Sequence, residues 1–389
     1  MRIGFITGEY PPMEGGVGAF THELAAALAA LGHEVHVLTH QRAQGNGHSG
    51  IRVTAEVRDW NWAALMQVSR WARQNRLEVI NLQYEAVAFG KVAPLVHLLP
   101  SRLSNFPTIT TFHDLLVPYL FPKAGSLRYQ ALLSLARSAK GVIVTNVHDE
   151  QQLAQERGLP PLRCIPIGSN IAPAPPPDFD RAALRTALNI PDDGVLIGYF
   201  GFLNASKGAA CLLHGVAQAL QSGVNAYLVL IGGRTGASDP SNVHYAESVD
   251  ELIDRLGLTE RVRRTGFIES AAVSAHLLAC DMLALPYTDG VSFRRGSFMA
   301  GLAHGCPIIT STPALPLPEL HHGENVYLVP PEQPEALGEA IRTLASTPQL
   351  RARLSSHARQ LSEQFTWTRI AQRTADFFLE VLTKSADEL

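Results

Sequence analysis

One supersecondary pattern occurs twice in this 389-residue chain, and it narrows the possible folds more than any other feature. Residues 2–40 read RIGFITGEYPPMEGGVGAFTHELAAALAALGHEVHVLTH, and residues 195–233 read VLIGYFGFLNASKGAACLLHGVAQALQSGVNAYLVLIGG. Each is a short β-rich run, a glycine-rich turn, an Ala/Leu helix and a second β-rich run. That order is a βαβ unit with a phosphate-type loop where the first strand meets the helix. Two such beginnings predict an α/β chain of two Rossmann-like lobes facing each other across a cleft. A ligand is expected between them, where strand C-ends and helix N-ends converge.

Two domains also suit the length. The composition shifts sharply at APAPPPDF, whose three prolines at 175–177 are incompatible with a helix. The boundary is therefore expected there, with a first lobe over 1–175 and a second over 176–365. Strands are predicted at 2–7, 34–39, 78–83, 107–112, 141–146 and 163–167 in the first lobe. In the second they fall at 195–200, 226–231, 262–265, 281–285, 307–310 and 326–329. Their alternation with helices implies mainly parallel sheets.

Bulk numbers exclude several classes. With 46% hydrophobic and 17% charged residues, each half can bury a core. A net charge of −3 argues against a broad nucleic-acid surface. Cys164, Cys211, Cys280 and Cys306 form no CxxC pair and read as reduced core residues. The opening MRIGFITGEY runs straight into a strand and is not a signal peptide. The longest apolar run, 86–99, is broken by Lys91, Pro94 and His97, so no bilayer span is expected. These features predict a cytoplasmic protein. Peripheral contact with the membrane inner face stays open, through 86–106 or the LLVPYLF run at 115–121; ordinary core is the rival reading.

Four places carry candidate chemistry. The loop Glu14-Gly15-Gly16-Val17-Gly18 opens a helix, and Gly16 would let a ligand approach the backbone. It lacks both the Walker ending and the GxGxxG spacing, which disfavours a dinucleotide; a plain tight turn is the alternative. The loop from Gly201 and Phe202 to Lys207 and Gly208 puts a lysine at a helix start, where the dipole repels a lone cation. An anion between lysine and amides would resolve this, and a solvated lysine is the alternative. Asp289-Gly290-Val291-Ser292-Phe293-Arg294-Arg295-Gly296 aims two guanidinium forks at another helix start. Convergence of Lys207, Arg294 and Arg295 on one diphosphate is expected. His113, followed by Asp114, ends a strand and would face the cleft, unless it is a capping histidine. His321-His322 has no metal-ligand spacing.

Together these stretches resemble the retaining glycosyltransferases of the GT-B fold, family four (glycosyltransferase group 1 type), over nearly the whole chain. Tyr10-Pro11-Pro12 with Gly15-Gly16-Val17-Gly18 and Gly32-His33-Glu34-Val35 is similar to that family's opening. Phe112-His113-Asp114 is similar to its histidine motif, and Gly201 to Gly208 to its second loop. Ala303-His304-Gly305-Cys306-Pro307, Pro318-Glu319, Gly323 with Asn325, and Leu328-Val329-Pro330 are similar to its closing signature. Two departures stand out. Phe202 replaces the usual loop arginine. Counting back from Pro307, Ser292 and Ala300 stand where the family carries two glutamates, with Asp289-Gly290 as a stand-in for the first after a short insertion.

The resemblance implies a retaining, metal-independent transfer of a sugar from a nucleotide-diphosphate donor to an acceptor hydroxyl. His113, Lys207, Arg294 and Arg295 would be catalytic. Gly16, Gly201, Phe202, Asp289, Gly290, Val291, Ser292 and Glu319 would bind the donor. The implied partners are the nucleotide sugar and a carbohydrate or lipid-linked acceptor; no cofactor, metal or nucleic acid is expected. A segment over 366–389, marked by Trp367, is expected to cross back to the first lobe. The rivals are an inactive sugar-nucleotide- or partner-binding relative, a sugar-nucleotide epimerase on the same fold and, last, a nicotinamide dehydrogenase.

Overall fold

The structure, a computed structural model, describes residues 1–389 except 14, 44–49, 86–87, 91–93, 104, 116–125, 234–240 and 388–389. The chain divides into two compact units. Met1–Gly168 and Thr366–Leu389 form the first, and Ser169–Phe365 forms the second. The division after Gly168 falls ahead of the expected 175/176 boundary, so the proline-rich stretch belongs to the second unit.

The first unit holds strands β1 (Arg2–Thr7), β2 (Glu34–His40), β3 (Ile51–Val57), β4 (Val79–Tyr84), β5 (Thr108–Phe112), β6 (Gly141–Val144) and β7 (Leu162–Cys164). They make a sheet in the order β3-β2-β1-β4-β5-β6-β7, with every pair parallel. Its helices are α1 (Gly16–Ala30), α2 (Trp62–Gln74), α3 (Leu99–Arg102), α4 (Ser126–Ser138), α5 (Val147–Ala154) and, from the chain end, α13 (Trp367–Asp387). Residues 2–7 are buried but for the half-exposed Arg2, as expected of a central parallel strand covered on both faces.

Helix α13 seals one face of this sheet. Ile370, Ala371, Ala375, Phe377, Phe378 and Val381 join Ile3, Phe5, Phe20 and Leu24 in one core. A Cβ at Gly141 would lie 2.8 Å from Val381 Cγ2, so the missing side chain lets the helix lie against β6. Arg373 Nη2 donates to the Cys164 carbonyl at 2.7 Å, and Arg163 Nη2 pairs with Glu380 at 2.6 Å.

The second unit holds β8 (Val195–Phe200), β9 (Ala226–Ile231), β10 (Val262–Gly266), β11 (Met282–Leu285), β12 (Ile308–Ser311) and β13 (Tyr327–Val329). Their order is β10-β9-β8-β11-β12-β13, again all parallel. Around them lie α6 (Arg181–Ala187), α7 (Ala209–Gln221), α8 (Ser241–Arg255), α9 (Ser270–Ala279), α10 (Gly296–Ala303), α11 (Pro334–Ser346) and α12 (Pro348–Ser362). The two sequence repeats are therefore β1-α1-β2 and β8-α7-β9. In each sheet the repeat's first strand sits where the strand order reverses, beside β4 in one and β11 in the other. That reversal opens a crevice beyond the strand C-ends.

Within the apolar stretch 86–106, Phe89, Val96, Leu99 and Leu103 are buried, whereas Leu98 is exposed. Most of the LLVPYLF run lies outside the described residues; Leu115 is buried. No helix among the described residues is long and apolar enough to cross a membrane.

Candidate functional site

The second unit brings its two charged loops together at the β8/β11 reversal. After β8 the chain passes Gly201, turns through a single 3-10 turn at Ala205–Lys207, and enters α7 through Gly208. Asn204 caps that turn, accepting the Lys207 backbone N–H at 3.1 Å. Lys207 thus stands just ahead of α7 rather than inside it. Gly208 has φ 68°, and a Cβ there would drive into the Pro286 carbonyl oxygen at the end of β11. Glycine is what allows the two loops to touch. The Thr288 backbone N–H donates to the Ser206 carbonyl at 3.0 Å and fixes the contact.

At Gly201, φ is 116° and the Lys207 ammonium occupies the place a Cβ would need. Among the described residues Lys207 Nζ has no carboxylate partner and no hydrogen bond. Burial, and then the nearby Arg295 guanidinium, pull its pKa down from the usual 10.5 to about 8.

Arg295 is the partner cation. Its Nη1 donates to Ser206 Oγ at 3.3 Å, its Nη2 pairs with Asp289, and its guanidinium lies 4.8 Å from the Tyr287 ring centroid. Tyr287 is held in turn by a 2.7 Å bond with Ser297 Oγ in the first turn of α10. Arg294 is half-buried beside it. Asp289, the stand-in for a missing glutamate, is thus engaged with Arg295. Gly290, at φ 82°, packs its Cα where a Cβ would lie 2.6 Å from the Thr312 carbonyl oxygen. Val291 is buried, with its N–H on the Ser311 carbonyl at 3.4 Å, and the Ser292 carbonyl accepts the Arg295 N–H at 3.1 Å. Phe202 is half-buried and offers only its carbonyl, to Tyr199 OH at 3.4 Å. Ala300, at the second glutamate position, is fully buried.

Glu319 lies beyond β12 in a loop stapled by Asn325. Asn325 Nδ2 donates to the Glu319 carbonyl at 2.8 Å, and its Oδ1 accepts the His321 N–H at 2.9 Å. The Glu319 carboxylate makes no ion pair or hydrogen bond among the described residues. His322 Nδ1 accepts the Leu328 N–H at 3.1 Å, which gives that histidine a structural task. No group of three or more His, Cys, Asp or Glu among the described residues is placed to hold a metal ion.

In the first unit the glycine loop is already occupied. The Val17 and Gly18 backbone N–H groups both donate to Glu9 Oε1 at 3.0 Å. The amides expected to greet a ligand are capped by the chain's own carboxylate, which satisfies part of the helix start. Burial raises the Glu9 pKa, and the two amide bonds partly oppose that rise. Gly16 itself has open space where a Cβ would go, whereas one at Gly15 would run into the Glu9 carboxylate. His113, just past β5, presents Nε2 to Gln83 Oε1 at 2.7 Å, and Phe20 meets its ring edge-on at 4.8 Å.

Sequence reasoning missed Glu9, Asn204, Ser206, Tyr287 and Gln83. For Asn204 a signal existed: an Asx residue three positions before Lys207 and four before a helix-opening glycine. Gln83 could have been found only from strand register, which sets it beside β5 and His113.

Two doubly wound parallel sheets in one chain, the second with paired cations at its switch point, are the architecture of the GT-B glycosyltransferases. Residues 15–168 match the model of the glycosyl transferase 4-like domain, and residues 194–347 that of the glycosyl transferases group 1. The chain belongs to this glycosyltransferase family. It is 26% identical over 245 residues to a D-inositol 3-phosphate glycosyltransferase of Streptomyces bingchenggensis, covering 62% of this chain and 53% of that one. It thus spans about half the length of such relatives. It is 22% identical over 392 residues, and 97% of both chains, to the GDP-mannose-dependent alpha-(1-6)-phosphatidylinositol monomannoside mannosyltransferase of Mycobacterium tuberculosis. Among solved structures, Anabaena Alr3699/HepE in complex with UDP and glucose has a TM-score of 0.75 at 21% identity, over 98% of this chain and 100% of that one. Sucrose-phosphate synthase from Thermosynechococcus elongatus has the same TM-score and identity, over 98% and 99%. These structural likenesses establish the fold.

Proposed function

We propose that the chain is a retaining, hexosyl-type glycosyltransferase that moves a sugar from a nucleotide diphosphate to an acceptor hydroxyl without a divalent metal. The observation that carries this reading is Lys207, a cation with no carboxylate partner among the described residues, beside Arg295 at the switch point. As the bond to the sugar breaks, negative charge grows on the departing diphosphate. Two fixed cations aimed at that charge stabilise the transition state more than the ground state. The sugar becomes cation-like, and the acceptor hydroxyl attacks from the face the diphosphate leaves. Backbone at Gly201 and Gly290 lets the donor approach, and the Glu319 carboxylate suits a donor hydroxyl. Named relatives that use GDP-mannose or were solved with UDP leave the base to be measured.

The test is a thermal-shift panel of UDP, GDP, ADP and dTDP with chelator present, followed by transfer and hydrolysis assays with the matching sugar nucleotides. A true donor product stabilises by about 2.7 kcal/mol at a hundredfold excess over its dissociation constant. No shift with any of the four sinks the reading. Binding without transfer or hydrolysis instead supports the inactive-relative alternative, which Ser292 and Ala300 favour by offering no carboxylate.

We further propose a cytoplasmic location with peripheral contact at an anionic membrane surface, which suits a lipid-linked acceptor. The supporting surface is α2, where Trp62 and Met66 are 57% and 71% exposed and Arg70 and Arg73 continue the same helical face. Arg102 adds its guanidinium 5.7 Å from the Trp62 ring centroid. Flotation with anionic vesicles should recover the protein and lose it when Trp62 and Met66 are both changed to Ser; equal recovery of both proteins overturns this contact.

A further inference from the structure

Phe293 is out of character with its loop. It stands between Ser292 and Arg294 on the run from Asp289 to Gly296, yet only 8% of it is exposed. Local backbone fixes its place. The Arg295 N–H donates to the Ser292 carbonyl at 3.1 Å, so Ser292 to Arg295 close a turn with Phe293 and Arg294 at the two central positions. Arg295 is then the N-cap residue of α10. A phenyl ring at the centre of such a turn gains from burial only if another element comes to cover it.

The cover is Phe365, the last residue of the second unit. Its ring centroid lies 4.7 Å from that of Phe293 with 33° between the planes, and it too is only 8% exposed. Phe298, fully buried in α10, meets Phe293 at 6.0 Å. Helix α12 delivers Phe365 to this place. A Cβ at Gly305, just past the C-end of α10, would lie 3.2 Å from the Ser355 carbonyl oxygen, so α12 passes close to that end. From there α12 runs back along α10, and a 3-10 turn at Glu363–Phe365 sets the ring ahead of the α10 start. The chain beside Phe365 has little slack. The Glu363 N–H is bonded to the Gln360 and Leu361 carbonyls. Thr366 holds the start of α13, its carbonyl accepting the Ile370 N–H at 3.0 Å and its Oγ1 the Arg369 N–H at 3.4 Å.

We propose that Phe365 is a positioning residue for the diphosphate site: stacked on Phe293, it holds the Ser292–Arg295 turn and so keeps the Arg295 guanidinium over Tyr287 and within reach of Ser206. Backbone bonds from Thr288, Gly290 and Val291 tie down the earlier part of the loop. At the turn, the ring stack ties it to the end of α12. A planar side chain gripping a ring and a hydroxyl at once tolerates little displacement of its backbone, so a loosened turn loses both contacts together. That Arg295 meets a diphosphate rests on the glycosyltransferase reading; its placement by Phe365 does not.

The experiment reads the two separately. The chain has only five lysines, so spectra of the ligand-free full chain with 13C at lysine Cε follow Lys207, assigned by its loss in Lys207→Met. Arg295 adds to the burial that lowers the Lys207 pKa to about 8, so the titration midpoint reports whether the guanidinium is in place. Arg295→Ala should raise that midpoint. Phe365→Leu and Phe293→Leu, which keep an apolar filling but drop the ring stack, should raise it in the same direction. Trp367→Leu, two residues beyond Phe365 but in the first unit, should leave it where it is. With whichever of the four nucleotide diphosphates binds in the panel above, Phe365→Leu should raise Kd roughly 2- to 12-fold, the scale of one aromatic pair. In an Arg295→Ala background the same change should cost nothing further. A wild-type midpoint in both Phe365→Leu and Phe293→Leu overturns the proposal, as does an equal shift in Trp367→Leu. Equal losses of affinity in the two backgrounds overturn a role exerted through Arg295. Failure of wild type to bind any of the four would count against the glycosyltransferase reading, and the lysine titration would still decide the placement of Arg295.

Discussion

Replacing Lys207 with Met should raise the melting temperature of the second unit near pH 7 and at the same time strip it of nucleotide-diphosphate affinity. The ammonium is half-buried, lies over the Gly201 backbone and has Arg295 as its charged neighbour, so the fold resists its charge. The pKa is depressed from 10.5 to about 8, so the folded state prefers the neutral amine. The sign follows. The contribution of this group to stability is full above 10.5, falls as the pH drops through about 8, and is a standing penalty at pH 7. After discounting for its remaining exposure, the penalty is about 1–2 kcal/mol, or roughly 2–6 °C for a unit of this size. Methionine keeps the unbranched stem and drops the charge. Calorimetry of both proteins at pH 7 and pH 10.5 is the check, with the gain expected at pH 7 and largely gone at pH 10.5. A variant less stable than wild type at pH 7 would falsify this account. Titration with the nucleotide diphosphate should show the opposite effect, a loss of about 10- to 150-fold for one charge-assisted contact. Both outcomes together would be the behaviour of a group placed for binding rather than for folding.

The parts of this molecule that were legible in the sequence are those written in local patterns. The two βαβ openings, the Lys207 loop and the Arg294-Arg295 loop could be read because glycine, a strand run and a helix run occur in a fixed order. The edge strand β3 was not read. Residues 51–57 alternate Arg, Thr and Glu with Ile and Val, and an edge strand half-open to solvent needs no continuous apolar run. Helix α6 escaped because none of its residues is buried, so it has no apolar face to announce it. The site was legible only as a list of charges. That Arg295 reaches Ser206 and lies over Tyr287, and that Asp289 pairs with it, depends on β8 lying beside β11, which is a fact of topology. The contact of His113 with Gln83 likewise depends on the register of β4 against β5. Glu9 on the α1 amides shows the reverse error: a glycine loop that reads as open to a ligand is filled by a residue only eight positions before Val17.

Arg295→Ala should weaken nucleotide-diphosphate binding by about 10- to 150-fold, and Arg295→Lys should not restore it. The guanidinium is held by three different contacts at once: Ser206 at 3.3 Å, Asp289, and the face of Tyr287. A lysine ammonium cannot bridge two partners in a plane while stacking on a ring. With Phe202 in place of the loop arginine carried by similar enzymes, Arg295 is the cation that complements Lys207. The two are coupled, because Arg295 is one of the causes that hold the Lys207 pKa down. Removing it should let that pKa rise. Below about pH 8 wild-type Lys207 should be an ammonium and the proposed site should bind; above it the charge should be lost. The kcat/KM of wild type, which reports the free enzyme, should therefore fall as the pH climbs past about 8. In Arg295→Ala the whole curve should sit lower, and its alkaline fall should come at a higher pH. A double-mutant cycle with Lys207→Met should then show non-additivity of roughly 0.5–3 kcal/mol, as for charges acting on one ligand. An alkaline limb at the same pH in both proteins would mean that Lys207 and Arg295 do not sense each other. The diphosphate would then be held by some other group.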